Sequence, residues 1–171
     1  TGAYASVEAI THAAFGAGGM LRTIHRHATD AMLVTMLIHM VRYFAFDRLR
    51  GFRAFSWLTG LGLLWLAYVA GVNGYMLPWD RLAQFVTQAS FEWLDWLPGF
   101  GGTLVRNVIG NEHVSNRLFS LLVFVHIGVP LGMLLLAWVH VQRVPKASML
   151  PPRAIASALV AMLVVLALAA P

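Results

Sequence analysis

Four stretches of the chain, Ala28 to Phe46, Phe55 to Leu77, Arg117 to Val141 and Ala154 to Ala170, are apolar over seventeen to twenty-five residues each. A helix needs about 20 such residues to cross the roughly 30 Å of hydrocarbon in a bilayer. Within lipid every backbone polar group must be satisfied internally, and runs of this length are about twice what a barrel strand requires. The pattern predicts an all-α fold, a transmembrane helical bundle with four membrane helices. Composition agrees: 59% of the residues are hydrophobic, 11% are charged, and the mean hydropathy is +0.71. The absence of cysteine excludes disulfides, thiolate metal sites and covalent haem attachment through cysteine.

The twelve Lys and Arg against seven Asp and Glu would suit a nucleic-acid binder if they formed one face. They are instead confined to short connectors, so no nucleic-acid partner is expected. Arg42, Arg48, Arg50 and Arg53 crowd the first connector, and Arg143, Lys146 and Arg153 the one after the third segment. The positive-inside tendency places 42–53 and 142–153 on the cytoplasmic side of a membrane, a bacterial inner membrane being the expected one, and 79–116 on the periplasmic side. That outer connector carries Asp80, Glu92, Asp95 and Glu112 and the aromatic stretch FEWLDWLPGFGG, which suits the headgroup region. Ala5 to Gly19 reads as a short amphipathic approach to the bilayer. Helices one and three then run parallel, with helix two antiparallel.

Four of the seven histidines form a pattern: His25 and His39 on the first helix, His126 and His140 on the third, each pair fourteen residues apart. Fourteen residues return a helical side chain to within about 40° of its starting azimuth and separate the two by about 21 Å along the axis. Parallel helices let His25 meet His126 at one level and His39 meet His140 at the other. Intramembrane imidazoles are costly and point to function. Two histidines per level fall short of the four ligands zinc takes, whereas haem iron needs two axial ligands and b-type haem needs no cysteine. Two haem b groups with both axial positions filled would carry single electrons. A proton or ion path through the histidines, or plain interhelical contacts, are the alternatives. Gly60 and Gly74, also fourteen apart, offer a side-chain-free spot at each level. Arg22 and Arg42 stand one turn outside His25 and His39, where a guanidinium could pair with a haem propionate. Thr29 and Thr35, one turn from the first-helix histidines, are candidates to bond imidazole nitrogens, and Pro130 should kink the third helix. His12, His27 and His113 have no partner at a matching spacing.

LRTIH followed by His39 and Arg42, GYMLPW at 74–79, and HIGVP followed by His140 together resemble the cytochrome b and b6 family of quinol-oxidising complexes, over most of Ala3 to Arg143. The resemblance implies a di-haem membrane domain over 1–145, with a connector and C-terminal membrane helix over 146–171. It implies that His25 and His126 hold the low-potential haem near the outer side and that His39 and His140 hold the high-potential haem near the inner side. Arg22, Arg42 and Trp57 match family positions near the propionates, and Gly60 and Gly74 match glycines against which the haems pack. The implied role is that of a haem-bearing subunit, not active alone, with quinone as substrate and membrane lipid around it. Rieske iron–sulfur and c-type cytochrome partners are implied, within a homodimeric complex. The family has one membrane helix ahead of the first found here, so either the sequence is a fragment or that helix is missing. The family's PEWY motif is absent from the sequence, so a separate subunit is expected to supply it. Asp80 and Arg81 put two charges directly after the Pro-Trp. Those charges and the missing motif leave room for a second role: a di-haem membrane anchor passing electrons between quinone and an extrinsic oxidoreductase without bifurcation.

Overall fold

The computed structural model describes residues 2–12, 16–103, 105–106, 116–142, 144, 147 and 150–169. Glu112, His113, Arg143 and Lys146 lie outside these residues. The described residues form helices, turns and bends without a strand. The helices are α1 (Gly2–Thr11), α2 (Ala17–Ala45), α3 (Ala54–Met76), α4 (Arg81–Asp95), α5 (Asn116–Val141) and α6 (Arg153–Ala169). The second, third and fourth apolar segments coincide with α3, α5 and α6 to within a residue. The first does not: α2 begins eleven residues before Ala28, so one continuous helix carries both His25 and His39.

Gly51–Met76 and Leu118–Val141 are long and apolar enough to cross a membrane. Their large apolar side chains point outward, with Trp65 67%, Phe124 73% and Leu134 69% exposed, an arrangement that water would penalise and lipid would not. At 17 residues α6 is shorter. The 29 residues of α2 span about 43 Å at helical rise, but Arg22, Arg26, Asp30 and Arg42 interrupt its apolar face.

The chain divides into two compact units, Thr1–Ala9 with Val69–Gly128, and Ile10–Tyr68 with Val129–Pro171. In the first, Met76, Leu118 and Leu122 are buried together, with Val72, Leu77, Trp79, Val86 and Phe91 packed around them. Pro78 stops α3, since the residue before a proline is pushed out of helical conformation. Trp79 follows at φ 55, a left-handed conformation that costs a bulky residue energy and that the packing of its ring against the cluster holds. Asp80 then caps α4, its carboxylate accepting from the Ala83 amide at 2.7 Å. Ala83 and Thr87, one turn apart, are the buried face of this amphipathic helix, while Phe85, Trp93 and Trp96 are exposed. Asp80 thus acts on its own backbone. Replacing it with Ala is expected to cost about 1 kcal/mol, the usual value of such a cap, read as a lower denaturation midpoint in detergent.

In the second unit α2 packs on α6. The turn from α2 into α3 uses Gly51 at φ +64, a conformation open to glycine. An Asp47–Arg50 ion pair of 3.3 Å there is exposed on both sides and so contributes little. Pro130 lies inside α5, which continues through it.

Candidate cofactor site

The second unit holds a cavity of about 580 Å³, within the range of small-molecule and cofactor sites. Its walls come from sequence-distant parts of the unit. His39, Met40 and Tyr43 come from the end of α2, and Arg48, Phe52 and Arg53 from the connector. Ser56, Trp57 and Gly60 come from the first turns of α3, and His140, Val141, Val144 and Ala147 from the end of α5 and beyond. His39 and His140 therefore share one cavity.

Each imidazole is oriented by its neighbours. The His39 ring lies against Tyr43, one turn on, with centroids 4.7 Å apart and planes tilted by 37°. His140 Nδ1 is 2.9 Å from Thr59 Oγ1. Gly60 packs directly against it: a Cβ there would sit 3.3 Å from His140 Cε1 and 3.8 Å from Nδ1. The Arg48 guanidinium lies 5.9 Å from the Tyr43 ring centroid and that of Arg53 5.2 Å from Phe52. Both cations rest on aromatic faces, and among the described residues neither is paired with a carboxylate, so their N–H groups remain open to an anion at the cavity.

In the first unit His126 has the same kind of setting. Its Nδ1 lies 2.9 Å from the Ala70 carbonyl. Gly74 is pressed so close that an added Cβ would overlap His126 Cε1 and reach Nδ1 at 2.9 Å. Gly60 and Gly74 thus meet the histidine rings themselves, where the sequence reading put a macrocycle edge. The imidazoles fill the space that the missing Cβ atoms leave.

His39, His140, Trp57 and Gly60 of the expected residues come together, and so do His126 and Gly74. His25 is exposed on α2. Arg22 donates to Thr11 Oγ1 at 2.7 Å, and Arg42 is exposed and outside the cavity walls; Arg48 and Arg53 line that cavity. Thr29 and Thr35 do not bond imidazoles. Their hydroxyls donate to carbonyls of the preceding turn, His25 and Arg26 for Thr29 and Ala31 and Met32 for Thr35, because in a helix that acceptor is always within reach. Thr59, unremarked in the sequence, meets an imidazole instead; its signal was its place between Trp57 and Gly60.

The donor set fits haem. Among the described residues no three His, Cys, Asp or Glu side chains gather, as four-coordinate metal sites require, while an iron already held by a porphyrin needs only two imidazoles. Aromatic walls, a side-chain-free wall at Gly60 and two unpaired cations suit a flat apolar ring bearing acidic side chains.

An all-helical membrane protein with an imidazole-lined cavity among its helices is the class this structure defines. The chain matches the family described as Cytochrome b(N-terminal)/b6/petB over residues 30–169, and it belongs to that cytochrome b/b6 family. It is 33% identical over 119 residues to a cytochrome bc complex cytochrome b subunit of Chlorobaculum thiosulfatiphilum, covering 70% of this chain and 28% of that protein. The chain thus spans little more than a quarter of that relative's length. Membership makes it an integral membrane protein of electron transport, with haem b as the family's cofactor.

Proposed function

We propose that the chain carries electrons across a membrane through two b-type haems, one held by His39 and His140 and the other by His25 and His126, as the cytochrome b subunit of a quinol-oxidising bc-type complex. The observation that carries this reading is the shared cavity of His39 and His140. Bound haem would supply a one-electron carrier. The chain's own part is to present His39 and His140 to the iron, to draw the acidic side chains toward Arg48 and Arg53, and to keep water out with Tyr43, Phe52 and Trp57. Four membrane helices, α2, α3, α5 and α6, with α4 lying in the outer interface, fit the charge distribution. The relative's description as a bc-complex subunit suggests other subunits; Rieske and c-type partners and a quinone substrate are part of the proposal. The reading without bifurcation loses part of its support, since Asp80 is engaged in capping α4.

The test is the optical spectrum of the purified protein with haem quantified per polypeptide. Reduced-minus-oxidised bands of low-spin b haem at two per chain are expected. A folded, colourless protein would sink the reading.

A further inference from the structure

Thr59 has one hydroxyl proton and three neighbours for it. The carbonyls of Phe55 and Ser56 lie 2.9 and 3.1 Å from its Oγ1, and His140 Nδ1 lies at 2.9 Å. Thr29 and Thr35 show the same pair of contacts to carbonyls of the preceding turn, with the hydroxyl as donor. Carbonyls only accept, so the proton of a back-bonded threonine goes to the helix and its lone pair is left facing outward. At Thr59 that lone pair meets an imidazole nitrogen. His140 Nδ1 is then the donor, and Nε2 keeps the lone pair a metal requires.

We infer that Thr59 is a positioning residue for the His39–His140 haem: its hydroxyl accepts from His140 Nδ1–H, fixes the ring in its ligating tautomer and raises its basicity. This rests on the proposed haem site. An acceptor behind a ligating imidazole strengthens the ligand and stabilises the oxidised metal, so the hydroxyl holds the midpoint potential of that haem down. His126 meets a backbone carbonyl in the equivalent role, 2.9 Å from Nδ1, so the two ligands are backed by acceptors of different kinds. The acceptor behind His140 belongs to a side chain and is open to substitution.

The test is a potentiometric titration of the haems in the purified, haem-loaded protein, comparing wild type, Thr59→Val and Thr59→Ser. Valine keeps the shape and removes the acceptor; serine keeps the acceptor and removes the methyl. The expected result is two haems bound in all three proteins. One component should move to higher potential in Thr59→Val, the other should stay unchanged, and Thr59→Ser should titrate as wild type. An unchanged or lowered potential in Thr59→Val, or a Thr59→Ser protein shifted like Thr59→Val, would overturn the inference. A wild-type protein without b-type haem would instead overturn the proposed function on which it rests.

Discussion

Replacing His140 with Ala is expected to remove one of two haems and leave the other. The ring is only half-buried near the end of α5, and its principal contacts are with Thr59 and Gly60. Truncating it should therefore cost the apoprotein no more than the roughly 0.5–3 kcal/mol of an ordinary point substitution. For the cofactor the loss would be of another order, because one of the two residues proposed to hold the iron disappears and, among the described residues, no group of three His, Cys, Asp or Glu gathers to replace it. Haem per polypeptide should fall by half, and one of two components should vanish from a redox titration. His39→Ala should give the same result, since both rings line one cavity. Variants that keep two haems, or that lose different components, would show that the two histidines do not serve one iron.

Gly74→Ala should have the second largest effect, through a single methyl group. The added Cβ would overlap His126 Cε1 and stand 2.9 Å from Nδ1 and 3.3 Å from Nε2. The helix backbone cannot yield, so the ring must turn away, and its bond to the Ala70 carbonyl goes with it. Overpacking of this kind costs about 1–3 kcal/mol. With His126 displaced, the haem assigned to it should be lost, while the His39–His140 component persists. Gly71→Ala, three residues earlier on α3, is the control: a Cβ there meets nothing within 4 Å, so it should bind both haems. It should also gain up to about 1 kcal/mol from the better helix former. Loss of the same haem in both variants would refute the steric account.

Much of this fold is written in one-dimensional signals. The apolar runs of α3, α5 and α6 are legible because membrane-spanning length is a composition property, and the fourteen-residue histidine spacing is legible because helical phase is arithmetic. The start of α2 was missed because Arg22, His25 and Arg26 end the apolar run without ending the helix. In the sequence Arg48 and Arg53 register only as charge markers. Which arginine of a basic connector turns toward a cavity depends on the path of the turn through Gly51, and spacing from a histidine pointed to Arg42 instead. Thr29 and Thr35 stand near histidines along their own helix, where a hydroxyl has a carbonyl closer to hand. The threonine that meets an imidazole is eighty-one positions from it, a separation that periodicity within a single helix does not encode.

The threonines of α2 bear on how that helix would meet lipid as one of the proposed membrane helices. Thr23, Thr29 and Thr35 each donate their only hydroxyl proton to a carbonyl of the preceding turn, so what they turn outward is chiefly a methyl group. Insertion machinery sampling α2 residue by residue therefore meets a segment greasier than its amino-acid letters suggest. From Ala31 to Val41, with Thr35 cloaked in this way, His39 is the one side chain with a hydrogen-bonding group still to satisfy. In the proposed membrane-spanning reading, this eleven-residue stretch carries a single imidazole into lipid, and Asp30 and Arg42 at its two ends bound what can be buried without further cost.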